Sequence, residues 1–298
     1  MATTKDDILD QGPPAWAQAL PLAAVFAFFF VVPLLLTVAV SFWDYNEYEI
    51  LPAFTARNYV EAFEGCLAEL PALCTTLKTY LTTLRISLTV WAITLVLGFA
   101  IAYFLAFHVR SQTTQVVLFL ICTIPFWTSN IIRMISWIPF LGRNGILNST
   151  LMATGVIDQP LEFLLFSDFS VVLAFVHLYV LFMVVPIFNS MMRIDRALIE
   201  AAVDAGATGR QVLTNVIIPL SKPGIAIGSI FVVTLVMGDF ITVRLMSGGQ
   251  SASVGLMMAN EISLLQYPAA AANAVVLLAV VLIMVALMLR IVDIRKEL

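Results

Sequence analysis

The stretch that decides the fold is Asp195-Arg-Ala-Leu-Ile-Glu200-Ala-Ala-Val-Asp204-Ala-Gly206-Ala-Thr208-Gly-Arg-Gln-Val-Leu-Thr-Asn-Val216-Ile-Ile-Pro219-Leu220. Asp195 is a helix-starting residue, and good helix formers follow it through Ala205. Gly206 suits the left-handed position that stops a helix. Thr208 is placed to cap a second helix running towards Pro219. A helix, a sharp turn and a second helix are therefore expected. Glu200 and Asp204 lie four apart and share a face. Ala201, Ala202, Val203 and Ala205 are small enough to let another surface come close. On spacing alone two readings stand: a docking peg for a soluble partner with a basic, grooved surface, or an amphipathic helix lying on a membrane.

On either side of this stretch the chain is strongly apolar. Hydrophobic residues make up 61% of its 298 residues and charged residues 11%, and its mean hydropathy is +1.00. Soluble domains average roughly 45–50% apolar and about 25% charged residues. The apolar residues come in blocks of bilayer-crossing length. Six spans are expected, at about Leu20–Trp43, Leu81–Phe107, Val116–Trp137, Phe169–Met191, Pro223–Met246 and Ala269–Ile291. They are read as helices, because an isolated strand leaves its backbone unsatisfied in lipid, and no alternating segments of barrel type occur. The first block follows Asp6, Asp7 and Asp10, and it is too long for a cleaved leader, so it is read as a span.

Lys and Arg set the orientation. With the N-terminus inside, nine of the 15 Lys and Arg residues fall on inner segments, three on outer loops, and Arg85, Arg133 and Arg244 in or beside spans. Both termini are thus expected in the cytoplasm. The domain reading is an N-terminal segment 1–19, a six-span domain 20–291 with its main inner loop at 192–222, and a tail 292–298. The net charge of −4 offers no basic surface for nucleic acid.

The chain carries few residues suited to catalysis. There is no G-x-x-x-x-G-K-[ST] phosphate loop, no H-E-x-x-H and no G-x-S-x-G. His108 and His177 are the only histidines, so no Cys/His metal spacing exists. Cys122 reads as a buried small apolar residue. Cys66 and Cys74 share the first outer loop; a disulfide and two free thiols are both open readings, because geometry decides between them. Gly224 and Gly228 form a G-x-x-x-G that permits close helix approach, to another chain or within this one.

The inner loop resembles the cytoplasmic signature of permease subunits of binding-protein-dependent ABC importers. That pattern is Glu-Ala-Ala, three residues, Gly, nine residues, then Ile-x-Leu-Pro. Here it reads Glu200-Ala201-Ala202, Gly206 and Val216-Ile217-Ile218-Pro219. Gly238-Asp239-Phe240-Ile241-Thr242 with Ser247-Gly248-Gly249, and Leu141-Gly142-Arg143-Asn144-Gly145-Ile146-Leu147-Asn148, are similar to stretches of the spermidine/putrescine branch. The chain departs from the branch at Val243-Arg244, in its acidic N-terminus and in its Cys-containing loop.

The resemblance implies an all-α membrane protein with the six-span, MetI-like fold of type I importers, in a bacterial inner membrane. It implies an ATPase dimer as partner, which binds ATP and Mg while this chain binds no cofactor. It further implies a second permease, a different chain in preference to a second copy, and a periplasmic solute-binding protein. Glu200, Ala201, Ala202, Asp204 and Gly206 become the ATPase-coupling residues. The substrate implied is a polyamine; the same branch also includes permeases for other small organic solutes and ferric iron. A secondary transporter is the alternative of a different class, and it would carry several buried ionisable residues and inverted repeats.

A carboxylate inside a span faces a cavity or a partner. Asp239 therefore reads either as lining a pathway or as a structural pair or cap. Arg244 lies about 140° round an ideal helix from it, so Arg133 is the easier partner. Asn130, Phe126, Trp127 and Arg133 complete the pathway candidates.

Overall fold

The computed structural model describes residues 15–46, 49–66 and 73–291. The first 14 residues of the expected N-terminal segment and the tail 292–298 lie outside the described residues. Five helices are long and apolar enough to cross a membrane, and a sixth span is made by a bent pair. Helix α1 (Trp16–Val40) has none of its apolar window buried within the chain. It widens into a π turn at Ala27–Val31 just before Pro33. The same happens at Leu213–Ile217, before Pro219. A proline has no N–H and its ring crowds the carbonyl four residues back, and the wider turn relieves both problems.

Outside the membrane, β1 (Asp44–Tyr45) and β2 (Ile50–Leu51) form a small antiparallel hairpin. Helix α2 (Arg57–Ala62) follows. Its buried Asn58 donates to the Ser41 and Trp43 carbonyls at 2.9 and 2.8 Å, which fastens α2 to the end of α1. Cys66 and Cys74 are joined in a disulfide. Helix α3 (Thr75–Tyr103) is the second span, beginning six residues before the expected Leu81, and it continues through a π turn to His108.

The third span is not the single helix expected at Val116–Trp137. Helix α4 (Gln112–Thr123) runs into a 3-10 turn at Ile124–Trp127. Thr128 and Ser129 are extended, and α5 (Asn130–Leu141) leaves in a new direction, with a bend of 88° between the two parts. Pro125 starts the 3-10 turn, and the two extended residues complete the break. Helix α6 (Ile146–Ala153) and α7 (Asp168–Met192) follow, the latter closed at its start by a Ser167–Ser170 capping box.

Beyond the inner loop, whose helices are α8 (Arg196–Asp204) and α9 (Gly209–Val212), the fifth span also departs from the expected continuous helix. Helix α10 (Ile218–Gly238) stops, Asp239 is extended, and α11 (Ile241–Met246) restarts. Helix α12 (Val254–Ser263) and the last span α13 (Tyr267–Ile291) complete the chain.

The core lies where α7 packs against α10 and α3, around Val90, Phe175, Met183, Ile187 and Val232. Small residues bring these helices together. A Cβ on Gly224 would sit 2.3 Å from the Pro186 carbonyl oxygen, and one on Gly228 would sit 2.8 Å from Met183 Sδ. The G-x-x-x-G therefore serves packing within this chain. Gly224→Ala is expected to lower stability by about 1–3 kcal/mol through overpacking. Gly209→Ala, where a Cβ meets nothing within 4 Å, is expected to stay within about 0.5 kcal/mol of wild type. Thermal unfolding of the detergent-purified protein checks both, and equal midpoints for the two variants would contradict the packing argument.

Candidate functional site

Two places bring the sequence candidates together: the inner loop and the break at Asp239. In the loop, the Asp195 carboxylate accepts from the Ala197 N–H at 2.9 Å and caps α8. At the other end, Gly206 N–H reaches the Val203 carbonyl at 2.8 Å and Ala207 N–H reaches that of Ala202 at 3.0 Å. Gly206 has φ +84°, and a Cβ there would meet nothing. The glycine is needed for backbone conformation and not for space. Thr208 and Gln211 then form a reciprocal capping box, and helix continues without interruption from Gly209 to Gly238.

Short connections hold α8 to α7 on one side and to α10 on the other. Ile199, Ala202 and Ala207 turn inward and pack on the core. Ala202 thus leaves the outward surface on which the sequence placed it, because it follows Ile199 by one helical turn. Glu200, Ala201, Asp204 and Gly206 are exposed. So are Leu198 and Val203, at 50% and 55%. The outward face therefore carries two acids beside a small apolar strip. Behind α8, a cleft of about 610 Å³ opens between the inner ends of α7 and α10, lined by Asn189, Arg193, Asp195 and Leu198 among others.

At the break in the fifth span, Asp239 accepts three hydrogen bonds. Thr242 N–H donates to Oδ1 at 2.9 Å, the Thr242 hydroxyl to Oδ2 at 2.7 Å, and the Tyr179 hydroxyl to Oδ2 at 2.7 Å. The carboxylate caps α11 and ties it to α7. The expected partner Arg133 is engaged elsewhere: it bonds the side chain of Asn130 one turn away on α5. The ion pairs among the described residues join Arg57 to Asp44 and Glu61, Arg85 to Asp168, and Arg143 to Glu162, and none includes Asp239. Arg133 is 8% exposed, with its Nε unpartnered among the described residues.

Asp239 and Asn130 line one cavity of about 410 Å³ together with Tyr179 and Thr234. Phe126 and Trp127 line a separate apolar cavity of about 400 Å³ with Phe182 and Phe231. Phe182 stands between the two, edge-on to both Phe126 and Tyr179. Tyr179 and Thr242 were missed by the sequence reading. Tyr179 is a hydroxyl in the middle of an apolar span, a signal in principle, but which helix it faces is not visible in one dimension.

On the outer side, Asp168 binds both Arg85 and Ser251, joining α3, α7 and the segment before α12. Gly248 has φ +57°, and a Cβ there would meet the Phe166 ring at 2.7 Å. Asn148 is fully buried and clamps its loop through the Gly142 carbonyl and both backbone groups of Leu161. These contacts account for Gly248 in one outer motif and Asn148 in the other. Among the described residues no group of His, Cys, Asp and Glu is arranged to hold a metal.

Residues 94–296 match the profile of the family described as binding-protein-dependent transport system inner membrane component. The spermidine/putrescine transport system permease protein PotB of Escherichia coli K12 is 31% identical over 251 residues, covering 84% of this chain and 87% of that protein. PotB of Haemophilus influenzae is 31% identical over 249 residues, covering 82% of each. In fold, the chain is similar to a chain of the bacterial alginate ABC transporter solved in complex with its alginate pentasaccharide-bound periplasmic protein. That likeness has a TM-score of 0.72 at 18% identity, over 95% of this chain and 94% of that one.

Removing the Asp239 cap tests the break. Asp239→Ala deletes three part-buried bonds and is expected to cost about 2–3 kcal/mol. Asp239→Asn keeps an acceptor for Thr242 N–H, and its amide can donate to the two hydroxyls, so a loss under about 1 kcal/mol is expected. Unfolding midpoints in detergent compare them, and an Asn variant as unstable as the Ala variant would show that charge, not capping, holds the break.

Proposed function

The chain belongs to the family of binding-protein-dependent transport system inner membrane components, and on that premise we propose its cargo, its partners and its route of transport. It is a multi-pass membrane protein and a permease of a binding-protein-dependent ABC importer. The proposed cargo is a polyamine of the spermidine/putrescine class, which the names of its relatives support. The proposed seat is the bacterial inner membrane. The proposed assembly pairs this chain with a second, different permease. A relative named PotC, from the same organism as one PotB, matches it at 30% identity over 122 residues and supports that choice. A periplasmic binding protein delivers the solute, and two ATPase subunits on the inner side bind and hydrolyse ATP.

The observation that carries the proposal is the construction of α8. It presents Glu200, Ala201, Val203 and Asp204 to the inner side, while Ile199 and Ala202 fix it to the core. Its ends lead into α7 and, through the continuous helix that begins at Gly209, into α10, the two helices with the most extensive packing in the molecule. A push on α8 from a closing partner thus reaches both spans as rigid-body motion. The break at Asp239 lies at the far end of α10, so the same motion arrives at the cavity shared by Asn130, Tyr179 and Asp239. In this reading a carboxylate whose three donors are fixed lines the route of a cationic solute.

Glu200→Arg is expected to abolish copurification of the ATPase subunit from native membranes without lowering the yield of folded permease. In proteoliposomes holding the full complex and its binding protein, Asp239→Asn is expected to slow ATP-driven spermidine uptake by about tenfold, the effect of roughly 1.4 kcal/mol. Absence of an ATPase from the wild-type preparation would overturn the partner assignment. Wild-type uptake of a neutral solute in place of spermidine would overturn the cargo.

A further inference from the structure

On the outer side, Glu261 of α12 faces Asn273 of α13. Asn273 Nδ2 donates to Glu261 Oε1 at 2.9 Å. Asn273 is 3% exposed, and its backbone carbonyl accepts from the Tyr80 hydroxyl at 3.0 Å. The other two polar atoms of the pair, Glu261 Oε2 and Asn273 Oδ1, are both buried and both without a partner among the described residues. A carboxylate oxygen and a carboxamide oxygen can only accept hydrogen bonds. A carboxylic acid and a carboxamide, in contrast, close a ring of two parallel bonds. One of those bonds is present, and the two orphaned atoms are the pair that the second would join.

We propose that Glu261 and Asn273 form a proton-binding site on the outer side of the protein, in which Glu261 carries its proton on Oε2 at neutral pH while α12 is docked on α13. The step is a protonation alone: the carboxylate takes H⁺ from outer-side water, Oε2–H donates to Asn273 Oδ1, and no other bond changes. A proton fits where a larger cation would not, because both orphaned oxygens are buried.

Among the described residues the surroundings supply no countercharge to Glu261. Tyr80 of α3 and Tyr45 of β1 are the titratable groups within electrostatic reach. Arg57 of α2 is held by Asp44 and Glu61, and Lys78 of α3 is exposed. Arg244 of α11 and Tyr267 of α13 line a groove formed with α1 and α12, and neither Glu261 nor Asn273 lines it. On α10's side, Asp239 is bonded to Tyr179 and Thr242. Burial accordingly raises the Glu261 carboxyl above its ordinary range, and the Asn273 bond opposes that shift only in part.

Helix α12 is held at strategic points. Its first N–H, from Val254, reaches Thr83 Oγ1 of α3 at 3.0 Å. Gly255 lies against the Gly238 carbonyl and Phe240, at the break in the fifth span. Its far end closes through Leu265, a non-glycine residue at φ +62°, a conformation unfavourable for a side chain. The proton on Glu261 thus secures the element that bridges the break to the last span, and undocking α12 exposes the carboxyl and releases the proton.

The test is infrared spectroscopy of the full chain in nanodiscs, together with its unfolding midpoint from about pH 5 to about pH 9. A carboxyl whose folded pKa is raised stabilises the fold below its unfolded pKa, and that contribution is lost as pH rises through the folded value. The wild-type midpoint is therefore expected to fall with rising pH. A protonated-carboxyl band that shifts in D₂O is expected at neutral pH and disappears at the alkaline end. Glu261→Gln supplies a permanent donor to Asn273 Oδ1, so it is expected to remove the band and flatten the pH profile while keeping the midpoint. Asn273→Leu removes both bonds of the ring, leaves the buried acid without a partner, and is expected to lower the midpoint. Absence of the band from wild type at neutral pH would overturn the proposal. So would a Glu261→Gln protein that fails to fold, or one that keeps the wild-type pH slope.

Discussion

Inside a bilayer no water is available to take a backbone hydrogen bond, so a helix that stops there needs side chains or neighbouring elements to close its ends. This constraint organises the middle of the protein. The fifth span stops at Gly238, and Asp239 supplies both carboxylate oxygens to the restart, with Tyr179 reaching across from the fourth span to hold the carboxylate in place. The third span turns sharply after Trp127, and the new helix begins with Asn130, whose side chain accepts from Arg133. The two breaks meet in one cavity. Polar groups gather there because interrupted backbone requires them, and a passage for a polar solute has the same requirement.

The rest of the packing keeps this region connected to the inner surface. Helix α7 lies against α10 at the glycines Gly224 and Gly228, so close that a methyl group would strike backbone or Met183. Interfaces of this kind move as bodies, since small gaps in a close-packed contact are unfavourable. The capped, glycine-terminated helix α8 is joined to both of these bodies by short connections. Its charged face is outward because its apolar residues, Ile199 and Ala202, are committed to the core. Geometry therefore links the exposed face of α8, two packed spans and the break at Asp239 in one path.

Much of this was legible from the order of residues. Spans announce themselves by length and composition, and the fourth was located to within a residue at each end. The turn at Gly206 and the cap at Thr208 rest on local hydrogen bonding between residues two to five apart, so they could be read directly. The interior of a span is harder to read. Pro125 and Asp239 each stand in continuous apolar sequence, and hydropathy does not distinguish a straight helix from one that stops and restarts. Pairing across helices was also hidden. Arg133 was the reasonable partner for Asp239 on charge, but Tyr179, 60 residues away, holds it.

What the sequence alone determined about this protein is its solvent, its number of spans and its inner loop with the Glu200-to-Pro219 pattern, because burial in lipid and helix capping act through composition and near neighbours. Only the tertiary structure decided that Gly224 and Gly228 serve this chain's own packing, that Cys66 is bonded to Cys74, that Asp239 is a cap, and that Glu261 meets Asn273. Each of those depends on how helices separated in sequence are rotated against one another, and that rotation is set by the fit of side chains across all their contacts at once.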